Sequence, residues 1–193
     1  MATSLSTTIA QDDPGPRTLL GNVGSLDTND LGFSIAPAFG FTTMDGSSTS
    51  LFHLRAGLGF KDKIAVGGYF NTSLNNINPQ SEVLTNVYMD YWSAGGYVEY
   101  TLLSDRIVHL TIPVFIGTGE VQMDNEAGDA GLGEANFLVI EPAALLEVNL
   151  TKHVRFNLGA GYRFVGDMTY RNFDQAAISG LAGYAGLRIG LFR

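Results

Sequence analysis

The stretch S-G-L-A-G-Y-A-G-L-R-I-G-L-F-R, residues 179–193, decides how the chain is interpreted. Taken at every second residue, one face of this stretch is wholly apolar or small: Leu181, Gly183, Ala185, Leu187, Ile189 and Leu191. The other face carries glycine and alanine together with Tyr184 and Arg188. This alternation predicts a β-strand with one apolar side and one side of small and polar residues.

Seven earlier segments alternate in the same way, at about residues 31–43, 49–60, 64–74, 86–102, 106–117, 135–150 and 154–165. The connections between them are short turns at 61–63, 103–105 and 151–153 and longer loops at 44–48, 75–85, 118–134 and 166–178. The pattern predicts an all-β fold, an eight-stranded antiparallel up-and-down transmembrane β-barrel. Residues 1–30 lack this periodicity, so we expect a flexible tail, with the remnant of a signal-cleavage region, before a barrel of residues 31–193.

The composition agrees with a membrane barrel and excludes several function classes. Charged residues make up 16% of the chain, against about 25% in an average soluble domain. No apolar run approaches the length of a transmembrane helix, which leaves a closed barrel as the means of spanning a membrane. The net charge of −8 argues against nucleic-acid binding. The absence of cysteine excludes disulfides and thiolate chemistry.

The volume of the side chains predicts which face of the strands points outward. The apolar face carries many aromatic rings, more than the interior of an eight-stranded barrel holds. Several of these rings fall near the two ends of the strands, Phe33 and Tyr100 toward the short turns and Phe41 and Phe164 toward the loops. Aromatic residues clustered at two depths along the strands are typical of the girdles that lie at the two membrane interfaces. We therefore expect the apolar face to meet lipid.

The inward face then holds a polar network, for which we predict these members: Arg55, Glu99, His109, Glu141, Glu147, Arg155, Arg163 and Arg188. Because a buried charge must find a partner, the nearly balanced set predicts a plug of salt bridges. A gated path for protons or ions is the alternative. A three-residue turn at 151–153 places Glu141 directly opposite Arg163, and we expect these two to form a salt bridge.

Three prolines conflict with a continuous sheet. Pro37, Pro113 and Pro142 fall inside predicted strands, where proline cannot donate a ladder hydrogen bond. Since the alternation continues across each of them, we expect local ladder breaks or bulges.

Residues 31–193 resemble the eight-stranded outer-membrane barrels of the OmpA transmembrane-domain and OmpX type, and the ends of the chain look like barrels from Bacteroidetes-type bacteria. The terminal strand is similar to the signal that the barrel-assembly machinery reads, at Tyr184, Gly186, Ile189, Leu191 and Phe192, although Arg193 follows the aromatic residue. The resemblance implies a location in the bacterial outer membrane, with outer-membrane lipid and the assembly machinery as partners.

We expect a structural, surface-interaction or accessory role through the long loops, with a protein partner that the sequence does not identify. A narrow channel for ions or small solutes is the alternative, and a lipid-modifying barrel enzyme is a weaker one. His53 lies near Ser50, but their parity places them on opposite faces. The acidic loop 118–134 lacks the spacing of an EF-hand. The sequence therefore predicts no enzyme, no catalytic or metal site and no cofactor.

Overall fold

The computed structural model describes residues 30–84, 86–125 and 132–192, in which eight long strands close into one barrel. The long strands are β1 (Leu31–Met44), β2 (Ser47–Phe60), β3 (Ile64–Ser73), β4 (Val87–Leu102), β5 (Val108–Asn125), β6 (Glu134–Asn149), β7 (Val154–Val165) and β10 (Gly180–Leu191). Between β7 and β10 lie the small strands β8 (Thr169–Tyr170) and β9 (Phe173–Asp174) and the helix α1 (Gln175–Ile178). Each long strand pairs antiparallel with its neighbours in the chain, and β10 pairs with β1. The predicted up-and-down barrel is confirmed, and the predicted tail 1–30 lies outside the described residues except for Asp30.

The two faces of the strands point as predicted. In β1, buried and exposed residues alternate along the whole strand. The outward positions are large and apolar, for example Phe39, Ile116 and Leu158, all exposed. Tyr100 near the short turns and Phe41 and Phe164 near the loops are exposed as well, in agreement with aromatic girdles. No helix among the described residues is long and apolar enough to cross a membrane.

Two of the three short turns have the predicted register. Phe60 pairs with Ile64 around turn 61–63, and Glu147 pairs with Asn157 around turn 151–153. The predicted turn 103–105 is wrong, because β4 ends at Leu102 and Leu102 pairs with Leu110. Leu103 adopts a positive φ of 60° and its carbonyl accepts a hydrogen bond from the Arg106 amide, which lengthens the turn to 103–107. The register shifts by an even number of residues, so the faces of β5 are unaffected.

Two of the predicted loops are shorter in the structure. The loop 44–48 is a two-residue turn, Asp45-Gly46, with positive φ at both positions, as a type I′ hairpin requires. The predicted start of the loop 118–134 is wrong, because β5 continues to Asn125, whereas β6 begins at Glu134, within one residue of the predicted position. The end of β5 extends beyond the apolar belt, where outward residues need not be apolar. Its acidic side chains therefore gave this part of the strand the composition of a loop.

The three prolines break the ladder without bulges. The β1–β10 ladder lacks pairs at Ala36 and Pro37, and it resumes at Ala38 in the same register. Pro113 interrupts the β5–β6 ladder and Pro142 the β6–β7 ladder, and the register is again unchanged beyond them. Each proline still has a ladder partner on the opposite side of its strand: Leu54 for Pro37, Glu99 for Pro113 and Val114 for Pro142. Of the two expected alternatives, the structure shows ladder breaks and no bulges at the three prolines.

Glycine pairs make room for large rings in the lumen. Gly57 and Gly67 stand opposite each other on β2 and β3. A Cβ at Gly67 would lie 2.1 Å from the Ala56 carbonyl oxygen, and a Cβ at Gly57 would lie 2.6 Å from the Tyr97 hydroxyl. Tyr97 packs with Tyr69 and Phe115 in the middle of the barrel. The small residues of the inward face therefore allow three aromatic rings to fill the centre.

Candidate functional site

Glu147 is the centre of an ion cluster in the half of the lumen nearest the short turns. Its Oε1 lies 3.0 Å from Arg55 Nη2 and 3.5 Å from Arg188 Nη1. Its Oε2 lies 3.2 Å from His109 Nε2 and 3.9 Å from Arg155 Nη1. Glu147 is 0% exposed, so these four side chains, and not water, stabilise its charge.

The cluster extends to both sides of Glu147. Arg188 donates to Glu99 and, through Nε, to the Ser34 hydroxyl at 3.0 Å. Arg155 donates two hydrogen bonds to Asp62, a residue of turn 61–63 that the sequence analysis left out of the network. The three guanidinium groups face three carboxylates, those of Asp62, Glu99 and Glu147, so the formal charges cancel. Such cancellation is what a buried set of charges requires.

The predicted salt bridge between Glu141 and Arg163 is not formed, although the β6–β7 register places the two residues opposite each other. Both side chains are described and buried, and no nitrogen–oxygen distance between them is within 4.0 Å. Glu141 accepts a hydrogen bond from the Tyr184 hydroxyl across the barrel. The register fixes only where the Cβ atoms lie. Both side chains are long enough to bond to residues of other strands instead, Glu141 to Tyr184 of β10 and Arg163 to Thr42 of β1.

Of the eight residues predicted for the interior network, the structure therefore brings six together in the ion cluster: Arg55, Glu99, His109, Glu147, Arg155 and Arg188. Glu141 and Arg163 lie in the lumen but outside that cluster. The sequence analysis missed Asp62. Its position in a turn at the mouth of the barrel was the available signal, because a short turn faces the lumen as well as solvent.

The residues of the predicted assembly signal divide between the two faces of β10. Tyr184 is buried in the lumen, and Gly186 packs so closely that a Cβ would lie 2.4 Å from the Pro37 carbonyl oxygen. Ile189 and Leu191 are exposed on the outer face. The Phe192 ring does not join them on the outer face, because its centre lies 3.5 Å from the Arg155 guanidinium. The role of these residues in assembly stays a prediction.

Among the described residues, two small cavities lie inside the lumen. A small cavity between His53, Arg55, Asn157 and Tyr184 has a volume of about 10 Å³, and another of about 10 Å³ lies beside Asp62 and Phe192. A cavity of that size holds about one water molecule. Neither resembles a continuous path for a solute.

An apolar cluster fills the loop end of the lumen. Twelve buried side chains form it: Met44, Leu51, Ile77, Val87, Met89, Tyr91, Val121, Met123, Phe137, Val139, Met168 and Ile178. Ile77 comes from loop 74–86, and Met168 and Ile178 come from loop 166–179. Thioethers adapt to irregular gaps, which suits them to packing between loops and a barrel wall. The loops therefore close this end with side chains of their own.

Hydrogen bonds join the loops above this cluster into one cap. The Asp45 carboxylate accepts from the Ser81 amide and hydroxyl, both at 2.8 Å. The Asp45 amide donates to the Ala177 carbonyl at 2.7 Å. Across the top, Arg171 Nε lies 2.6 Å from Glu82 Oε2, and the Glu82 carboxylate also accepts from two backbone amides. Turn 45–46 is thus hydrogen-bonded to loops 74–86 and 166–179, and the Glu82–Arg171 contact joins these two loops to each other.

The Glu82–Arg171 contact predicts how the cap responds to acid. The hydrogen bond from Arg171 lowers the pKa of Glu82 to about 2, from about 4.3 in an unfolded chain. A carboxyl with a depressed pKa stabilises the fold above its unfolded pKa and loses that effect as the pH falls toward its folded pKa. We expect cleavage of the cap by pepsin to rise between about pH 4.5 and pH 2. Glu82→Gln should remove this dependence. Equal pH profiles for the two proteins would contradict the assignment.

The loop end of the barrel is strongly acidic. Eight described carboxylates lie there: Asp45, Glu82, Asp90, Glu120, Asp124, Glu134, Asp167 and Asp174. Arg171 is the one exposed basic side chain among the described residues of this end, and it is paired with Glu82. The excess of negative charge disfavours the approach of an anion.

The histidines show no catalytic arrangement in the described part of the chain. His53 is buried in the lumen and hydrogen-bonded to Asn71, whereas Ser50 belongs to the other face of β2. Within residues 30–84, 86–125 and 132–192, no group of three or more His, Asp or Glu side chains is arranged to hold a metal ion. Glu126 and Asp129 of the predicted acidic loop lie outside the described residues.

Comparison with known proteins finds matches of fold and not of sequence. No family model matches the chain, and no curated protein does. Neisserial surface protein A is 11% identical, with a TM-score of 0.60 over 85% of this chain and 97% of that one. OprG from Pseudomonas aeruginosa is 12% identical, with a TM-score of 0.51 over 84% and 96%. The attachment invasion locus protein Ail of Yersinia pestis is 14% identical, with a TM-score of 0.50 over 83% and 97%.

The closed eight-stranded barrel matches the fold of these neighbours over almost their whole length. The chain therefore has the fold of the eight-stranded bacterial outer-membrane barrels of the OmpA and OmpX type.

Proposed function

We propose that the protein is an integral barrel of the bacterial outer membrane and acts as a rigid platform that presents its loops to a partner outside the cell. The observation that carries the proposal is the combination of a filled lumen with a fixed cap. A transport protein needs a path, and the described lumen offers cavities for about one water each. The hydrogen bonds that join the loops instead hold one defined outer surface.

The exterior supports the location. Its outward side chains are those that a hydrocarbon environment stabilises, and closure of the sheet leaves no unpaired edge in lipid. Insertion by the barrel-assembly machinery through the terminal strand is part of the proposal. No step of it requires an enzymatic activity.

The charge of the cap supports a neutral or cationic partner. The structure of Ail in complex with the heparin analogue sucrose octasulfate is that of a barrel with a polyanionic ligand. In this chain the eight described carboxylates at the loop end would repel such a ligand. A surface depression of about 500 Å³ lies among Asp45, Ser81, Arg171, Asn172 and Asp174. Its hydroxyl, amide and carboxylate groups suit hydrogen bonding to a polar, uncharged or cationic surface.

Two probes of opposite charge test this proposal. We expect the protein in lipid nanodiscs to bind a lysine-rich peptide and not heparin, and the peptide binding to weaken with added salt. An Asp45→Asn/Asp174→Asn variant should bind the peptide more weakly, with unchanged migration of unboiled and boiled samples on gels. Heparin binding, or peptide binding that the variant retains in full, would contradict the proposed kind of partner.

A pull-down from the native membrane tests the platform role itself. Replacement of loop residues 75–84 and 166–178 by short glycine-serine linkers should abolish capture of any external partner while the barrel still inserts. Full retention of partner capture by this variant would contradict the platform role.

A further inference from the structure

Arg163 lies in the lumen but bonds to a loop. Its side chain is 0% exposed, and its Nε donates to the carbonyl oxygen of Ile178 at 2.9 Å. Its Nη2 donates to the Thr42 hydroxyl at 3.2 Å, and its guanidinium lies 5.0 Å from the centre of the Tyr91 ring. None of these three groups carries a formal negative charge. Arg163 is therefore held by dipoles and by an aromatic face.

Ile178 is the residue through which this contact acts on the loop. It ends helix α1, and its own side chain is fully buried in the apolar cluster. The last carbonyls of a helix have no partner within it, so they accept hydrogen bonds from basic side chains that reach them. The bond from Arg163 satisfies the Ile178 carbonyl at a point where the loop enters the lumen.

Met168 and Ile178 of this loop also pack in the apolar cluster, but these contacts are not directional. The loop makes further hydrogen bonds, those of Tyr170 and Arg171 being partly buried and exposed, respectively. Arg171 pairs with Glu82, the Tyr170 hydroxyl donates to the Leu132 carbonyl, and the Ala177 carbonyl accepts from Asp45. The Arg163 contact is buried, and a hydrogen bond that involves a charged group is worth more than a neutral one when water is excluded.

We propose that Arg163 is the positioning residue of loop 166–178, so that a buried cation of the barrel holds the outer surface in its closed form. The conformation of the cap then depends on one buried guanidinium group of the barrel wall. This inference deepens the proposed function, since the loop belongs to the surface offered to the partner. Its test measures opening of the loop and not binding, so the two proposals fail separately.

Hydrogen exchange of the protein in detergent micelles tests the inference. Arg163→Met keeps an unbranched, flexible side chain but removes the donors, and we expect exchange of the amides in 166–178 to rise by about tenfold or more. Glu141→Gln is the matched control, because Glu141 stands opposite Arg163 and bonds to Tyr184 instead. It should change exchange in the loop by less than about twofold.

The pair of variants separates this role from an ordinary interior ion pair. If Arg163 acted mainly through Glu141, both variants would open the loop equally, and that result would overturn the proposal. Unchanged exchange in Arg163→Met would overturn it too. Should Arg163→Met fail to show the folded gel mobility, Arg163→Leu is measured in its place, since leucine has no donor for the Ile178 carbonyl. The same criteria apply to it.

Discussion

Replacement of Glu147 by alanine is expected to lower the free energy of unfolding by about 3–5 kcal/mol, the usual effect of breaking a buried ion pair from one side. The loss leaves Arg55, Arg155 and Arg188 in the lumen with only Glu99 and Asp62 as counter-charges. Since Glu147 is fully buried, water does not replace the missing carboxylate. Urea unfolding in detergent micelles, followed by circular dichroism, measures the change.

An exposed ion pair of the same protein supplies the control. Asp105 lies 3.7 Å from Arg106 in the turn 103–107 and its side chain is 79% exposed, so Asp105→Ala should cost at most about 1 kcal/mol. Glu147→Ala/Arg55→Met should cost less than the two single variants added together, because one orphan cation has been removed as well. A cost for Glu147→Ala no larger than that for Asp105→Ala would contradict the buried cluster.

Leu158→Arg is expected to destabilise the inserted barrel by about 2–4 kcal/mol, the range for a basic residue on the lipid face near the bilayer midplane. Leu158 is 53% exposed on the outer face of β7, between Leu146 of β6 and Ala185 of β10. A guanidinium there must leave water for hydrocarbon or distort the bilayer around it. Reversible unfolding from phospholipid vesicles measures this cost.

Val83→Arg is the matched control for this substitution. Val83 is 83% exposed in loop 74–86, outside the apolar belt, so arginine should be tolerated within about 0.5 kcal/mol. Equal effects of the two substitutions would show that Leu158 does not face lipid.

Properties with a two-residue period could be predicted from the sequence. The faces of β10 follow from the alternation of Leu187, Arg188 and Ile189, and the same rule held in every long strand. That lipid face pairs with lipid face was also predictable, but this fixes only an odd number of turn residues, which is why the three-residue register held at turn 151–153 and failed at turn 103–105. These features depend on neighbours along the chain or directly across one ladder.

Features that depend on side-chain reach or on single dihedral angles were not predictable. The positive φ of Leu103, which lengthens its turn, has no signature in the sequence. Glu141 bonds to Tyr184 of β10, and Arg163 bonds to Thr42 of β1, although the sequence analysis paired them with each other. Asp62 joins Arg155 from a turn 93 positions away in the chain. Such contacts arise only when closure brings distant strands around one lumen.

The filled lumen is the central claim, and single-channel recording in planar bilayers tests it most directly. Protein with the folded gel mobility is incorporated, and its insertion is confirmed by recovery of the barrel from the bilayer-forming vesicles. The ion cluster at one end and the apolar cluster at the other predict no steady open-channel current. Large and stable currents from the wild-type protein would contradict the account and favour a pore.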